Sequence, residues 1–186
     1  IVKRNIGGVD KYYIEVFDDD FTTDSATQVL TGFSGSTYSG YSHIEGKSVK
    51  VIRDDIVDPD HTVSGGNVTA GGQPQLYLEA GLNYDVEVKT NPVETRLSSG
   101  TIASQKKRIL EITPNLYKSQ NLVINNRTID LASGPLSGAG GVQTFTGKKR
   151  THGFLGYDRD GVITISQNEP VFLTLLSLAY KVSLGQ

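Results

Sequence analysis

The sequence predicts an all-β fold, an antiparallel β-sandwich or barrel-like domain with little helix. Three observations carry this. Runs rich in Val, Ile, Thr and Tyr recur along the 186 residues, with period-2 alternation in several of them. Glycine, 21 of the 186 residues, falls in short clusters between those runs, the rhythm of strands and turns. Helix signals are weak throughout.

In order along the chain, the opening Ile1-Val2-Lys3-Arg4-Asn5-Ile6 reads as the middle of a strand, and Lys11 to Phe17 is a second β-rich run. Asp24 to Leu30 has the look of one or two helical turns, with Thr22 or Thr23 as cap. Lys47 to Arg53 alternates with Val49 and Val51 on one face. Gln75 to Leu78 and Tyr84 to Lys89 alternate likewise, and Ser98-Ser99-Gly100 breaks any helix over 94–105. Lys107 to Thr113 sets Ile109, Leu110 and Ile112 toward a core and leaves Arg108 and Glu111 to water. Leu122 to Ile129 and Val162 to Ser166 follow as single strands. In Val171 to Leu184, Leu176, Leu178, Tyr180, Val182 and Leu184 form one stripe, and the length of the run calls for a bend or bulge.

No linker composition and no internal repeat interrupts residues 1–186, so the reading is one β-rich domain. Without methionine, and with Ile1 in mid-strand, the chain reads as a fragment of a longer protein. No stretch approaches 18 consecutive apolar residues, and the start lacks signal-peptide character. The balance of 18 Lys+Arg against 20 Asp+Glu, a net charge of −2, argues against a general nucleic-acid binder. The absence of cysteine excludes disulfides, thiolate metal sites and cysteine nucleophiles from these residues.

Metal ligation fails on spacing. Asp54, Asp55, Asp58, Asp60 and His61 cluster, but Pro59 and the lack of glycine before Gly65 break the calcium-loop pattern. Asp158-Arg159-Asp160-Gly161 puts Gln167 where the loop's bidentate Glu belongs, and reads as a turn. His43, His61 and His152 lie far apart with no zinc spacing. Gly32-Phe33-Ser34-Gly35-Ser36 is no nucleophile elbow, and Gly138-Ala139-Gly140-Gly141 no phosphate cradle. The expectation is no enzyme, no catalytic or metal residues and no cofactor.

Two basic patches, Lys106-Lys107-Arg108 and Lys148-Lys149-Arg150, read as solvated edges or contacts for an acidic partner. Tyr38, Tyr41, Tyr77 and Tyr84 either line an exposed binding surface or plug sheet ends. Asn67-Val68-Thr69 and Asn126-Arg127-Thr128 fit the glycosylation sequon.

Several segments, in order, resemble one family. Val2-Lys3-Arg4-Asn5-Ile6-Gly7-Gly8 with Lys11-Tyr12-Tyr13-Ile14-Glu15 is similar to an R-x-I-x-G…Y-V-E element, and Tyr41-Ser42-His43-Ile44-Glu45-Gly46-Lys47-Ser48-Val49-Lys50-Val51 to L-x-H-L-E-G-K-x-V-x-V. Gly81-Leu82-Asn83-Tyr84 and Thr90-Asn91-Pro92-Val93-Glu94 resemble G-L-x-Y…T-L-P-x-E, and Lys106-Lys107-Arg108-Ile109 a K-R-I strand. Phe145-Thr146-Gly147 and the Val162 to Pro170 stretch resemble F-T-G and I-x-Q-x-x-P. The family is that of podovirus tail nozzle proteins, of the tail tubular protein B and packaged-DNA stabilisation type, and the chain resembles a C-terminal fragment of it. Val171-Phe172 departs from the Leu-Pro that often follows there.

The resemblance implies a structural component of a short-tailed bacteriophage virion: a nozzle ring, homo-oligomeric in the full-length protein, below portal and adaptor. It implies fibre or spike anchoring, other tail proteins as partners, DNA only as non-specific cargo in the ejection channel, and no membrane. The alternatives are a carbohydrate-binding or adhesin-like β-sandwich using exposed tyrosines, and a hydrolase whose Ser, His and Asp assemble from distant positions.

Overall fold

Among the described residues thirteen glycines and six others hold positive φ, and where two such residues are adjacent the chain folds back on itself as a tight hairpin. This computed structural model describes residues 1–185 apart from 31, 33, 75, 95, 99, 104, 132–143 and 155. Gly138 to Gly141, and Phe33 of the Gly32 to Ser36 segment, lie outside the described residues. Strands make up 51% of the chain and helix 2%, in several antiparallel sheets, which establishes the all-β, sandwich-like class. The described residues gather into two compact units, 1–84 with Asn168–Val171, and 85–131 with 144–167 and 172–185. No linker composition marks the step between them at Tyr84 and Asp85.

In the first unit, β1 (Val2–Ile6) and β2 (Val9–Tyr13) form a hairpin through Gly7 and Gly8, at φ +60° and +82°. β3 (Asp24–Val29) pairs with β9 (Leu78–Leu82), β9 with β5 (Ser48–Arg53), and β5 with both β6 (Ile56–Val57) and β7 (His61–Thr62). β4 (Thr37–Ser39) pairs with β8 (Asn67–Thr69). Val49 and Val51 are buried as the alternation of β5 requires, in a cluster with Tyr38, Tyr41, Ile44, Val68 and Leu78. The helical turns expected from Asp24 are instead β3: pairing with β9 overrides the weak local propensity. The strand expected over Gln75 to Leu78 starts only at Leu78 and runs on to Leu82. Only Ser42–Ile44 makes a 3-10 turn among the described residues.

In the second unit, β10 (Val86–Lys89) pairs with β18 (Thr164–Gln167), and a hairpin joins β11 (Arg96–Leu97) to β12 (Gly100–Thr101). The spine is β13 (Lys107–Ser119). β14 (Val123–Ile124) and β15 (Arg127–Thr128) turn about Asn125 and Asn126, at φ +48° and +63°, so the run from Leu122 to Ile129 is a hairpin rather than one strand. β16 (Phe145–Lys148) and β17 (Thr151–His152) line one side of β13, and β19 (Thr174–Leu184) the other.

Bulges decide which side chains of this ladder are buried. Ile109 faces Val182 and Glu111 faces Lys181, so Leu110 is the extra residue. The buried face of β13 therefore passes from Lys107 and Ile109 to Ile112, Pro114 and Leu116, and Leu110 is left exposed. A second shift, between Asn115↔Ser177 and Leu116↔Leu175, ejects Leu176 from the stripe predicted for β19. Leu175 takes its place and packs, with Leu178 of the predicted stripe, on the cluster of Ile112, Leu116, Leu122, Ile124 and Ile163.

Candidate functional site

The acidic stretch after β5 is taken up by architecture. Asp54 and Asp55, at φ +49° and +68°, form the two-residue loop between β5 and β6. Asp54 Oδ1 accepts the N–H groups of Leu76 and Tyr77 at 2.8 and 3.0 Å, and the Tyr77 hydroxyl donates to Asp55 Oδ1 at 2.8 Å. Asp58 is buried, accepting from Arg53 Nε and from the Gly71 N–H, both at 2.8 Å. Burial alone would raise its carboxyl, but Arg53, the Gly71 N–H and His61 together hold it below the usual carboxylate range. Asp60 shares Lys50 with Glu169. Among the described residues no three His, Cys, Asp or Glu side chains converge into a metal-holding group.

The His43 to Val51 block is equally structural. Glu45 receives the N–H groups of Gly65 and Gly66 on its two oxygens, at 2.8 and 2.6 Å, clamping the tight turn that carries the chain into β8. Gly46 at φ +71° donates its N–H to Val63 O, a backbone conformation that a side chain would strain. His43 Nε2 lies 2.9 Å from Ser25 O, and its ring meets Tyr13 edge-on. Glu79, absent from the sequence-level candidates, is buried and takes the N–H and hydroxyl groups of both Thr22 and Thr23 on one oxygen. Its single apolar-flanked occurrence in a strand gave no signal beforehand.

The tyrosines divide. Tyr38 and Tyr41 are core residues, with the Tyr41 hydroxyl raised by burial and then by the Glu79 charge. Tyr77 is tied to Asp55, whereas Tyr84 is half exposed. Of the sequons, Asn67 bonds Gly65 O from within β8, and Asn126 sits in the exposed β14–β15 turn.

The two basic patches also part company. Lys107 is buried, with its ammonium on Arg159 O and its N–H on Asp158 O. Asp158 itself turns on the N–H groups of Gly161 and Arg159, which lower its carboxyl as they would a turn-capping acid. In the other patch Arg150, with His152 and Lys181, surrounds Glu111. Lys148 and Lys149 have no carboxylate partner among the described residues, and neither has Lys118 beside them on β13.

What stays open to a partner is therefore surface. Ile14 and Val16 are 86% and 85% exposed and Phe17 fully so, directly ahead of the exposed Asp18, Asp19 and Asp20. No helix is long and apolar enough to cross a membrane among the described residues.

These features define an all-β chain of two units in which Glu45, Asp54 and Asp158 fasten turns. No protein-family model matches the sequence, and comparison with curated proteins finds no match.

Proposed function

We propose that the chain is a structural module of a short-tailed bacteriophage tail, part of a nozzle ring that works by protein contacts. The observation that supports this best is the use to which the family-like segments are put. Arg4 and Glu15 join the first hairpin to the segment that follows it, Glu45 and Gly46 lock a turn, and Lys107 pins a loop. Each is a scaffold role, which suits a virion component and leaves the exposed surface for neighbours. The ordered resemblance supplies the class of assembly, with adaptor and fibre or spike proteins as partners.

The full-length protein, mixed with its portal-bound adaptor, is expected to sediment and image as a ring. A protein that stays monomeric with the adaptor present would overturn the reading.

A further inference from the structure

In the sheet ordered β10-β18-β14-β15, β10 is outermost, and all four of its residues, Val86 to Lys89, are exposed. Hydrogen bonding shows which of its backbone groups are free. Thr90 N–H donates to Ile163 O on the β18 side, and Asn125 N–H donates to Thr164 O, so Thr164 points away from β10. Antiparallel pairing alternates, and the register sets Val88 opposite Ile165 and Lys89 opposite Thr164. Val86 and Val88 therefore turn their N–H and C=O groups to β18. Glu87 and Lys89 turn theirs outward, where no strand among the described residues receives them.

The side chains follow the same alternation. Cross-strand partners share a face, so Val88 ends the row that runs from Ile124 through Ile165. Ile124 and Ile165 are buried, whereas Val88 at the open end is 55% exposed. On the opposite face Glu87 and Lys89 touch at 2.8 Å, both side chains more than half exposed. Charges on an edge strand commonly keep other strands away. These two have opposite signs and flank Val88 on either side, which makes the edge complementary to itself.

We infer that β10 pairs antiparallel with β10 of a second copy about a two-fold axis at Val88, joining two four-stranded sheets into one. The outward backbone groups of Glu87 then meet those of Lys89 in the second copy. Val88 meets its own counterpart as a non-hydrogen-bonded pair, the closer kind. Charge fixes the axis. Since the groups of Glu87 and Lys89 must face one another across the edge, the axis passes through a residue and not between two. Through Val86 it would set Glu87 against Asp85, through Glu87 two carboxylates against each other, and through Lys89 two ammonium groups. Only through Val88 does each Glu87 meet a Lys89, and there the apolar row also continues from one copy into the other. A second copy is favoured over a foreign strand because the charge order that this edge requires is its own, read backwards. The contact is isologous and closes at two copies, so it goes beyond the ring proposed above, whose neighbours meet through different surfaces, and the two fail separately.

The edge is short and the contact correspondingly weak, so sedimentation velocity is run at up to about 1 mM chain, where a monomer–dimer equilibrium is expected. Glu87→Lys and Lys89→Glu, each shown to be folded by circular dichroism, should each weaken it about tenfold or more. Mixed, they should form a heterodimer, since unlike charges again meet across the axis. Lys89→Pro removes an outward N–H and no bond to β18, so it should abolish the dimer at an unchanged melting temperature. The chain has no cysteine, so Val88→Cys places a single thiol on the axis. Mild oxidation should cross-link that variant to a dimer and leave Val86→Cys monomeric. Salt separates this contact from a general attraction of opposite charges. The first unit carries six Lys and Arg against thirteen Asp and Glu, a net of −7, and the second twelve against seven, a net of +5. Pairing through β10 brings two positive units together, so between about 20 and about 500 mM salt the affinity should change less than about threefold. A tenfold loss with salt would instead indicate an acidic unit on a basic one, and would overturn the inference. So would a wild-type chain that stays monomeric at that concentration, a mixture no better associated than its components, or equal cross-linking of the two cysteine variants.

Discussion

The two units reach an all-β fold by opposite means. The first is stitched from short hairpins, and carboxylates do the fastening: Glu45 on Gly65 and Gly66, Asp54 on Leu76 and Tyr77, Asp58 on Arg53 and Gly71, Glu79 on Thr22 and Thr23. The second rests on one long ladder, β13 with β19, whose bulges place Ile109, Ile112 and Leu116 in a common core. Polar fastening makes the first unit sensitive to single acceptors and to acid. Apolar packing on a long ladder makes the second sensitive to volume.

The largest effect should come from Ile112→Ala, which empties a fully buried position in the second core. A loss of about 2–5 kcal/mol is expected, read as a lower chemical-denaturation midpoint for that unit. Hydrogen exchange should show protection lost along β13 and β19 and kept along β5 and β9. Equal loss in both units would erase the distinction.

Glu79→Ala should cost about 3 kcal/mol in the first unit, since it strands the buried Thr23 N–H and hydroxyl without their acceptor. Exchange protection should fall along β3 and β9 first. A variant as stable as the parent would show that these donors find other partners.

Acid should separate the units less sharply. The folded-state Asp58 value lies below its unfolded one, so its stabilisation is complete above the ordinary Asp range near pH ~4. It is lost as pH falls through the depressed folded value. Melting followed from neutral pH down to about pH 2 should show this decline, and Asp58→Asn should flatten it. A parallel decline in that variant would move the acid sensitivity to other carboxylates, Glu15 among them.

The smallest effect should belong to Leu110→Lys. The residue is ejected by the bulge and exposed, so stability should stay within about 0.5 kcal/mol. A loss of core size would mean that Leu110 is packed in solution and that the bulge lies elsewhere.

How far the sequence foretold this depended on which periodicity survived folding. The alternation at Val49 and Val51 and the opening strand at Val2 to Ile6 were legible because nothing interrupts the period. Leu110 and Leu176 were not, because a bulge shifts the inward face by one residue and leaves no mark of its own in the composition. Asp54-Asp55 and Asn125-Asn126 drew attention as acids or as mid-strand residues, although paired Asp or Asn residues tolerate positive φ and so signal a hairpin. Of the candidate contacts, the basic patch at Lys148 and Lys149 was visible beforehand. Lys118, thirty residues away in sequence, joins it only through the pairing of β13 with β16. Asp18 to Asp20 carried no signal, since three consecutive acids read as solvated chain.

The ladder between β13 and β19 also bears on how the molecule is made. Lys107 meets Leu184 and Tyr117 meets Thr174, so one edge of the second unit's spine has no partner until β19 leaves the ribosome, while β16 and β17 can cover the other edge earlier. The pairing of β5 with β6, β7 and β9 closes within residues 48–82, long before that. Synthesis therefore lays down the acidic half first and holds the basic half open longest. During that interval the exposed β13 edge, with Lys118 beside it, is offered to whatever finished copies are nearby. Slow translation of the final segment, or truncation ahead of Thr174, should for that reason turn an orderly chain into one that captures its neighbours.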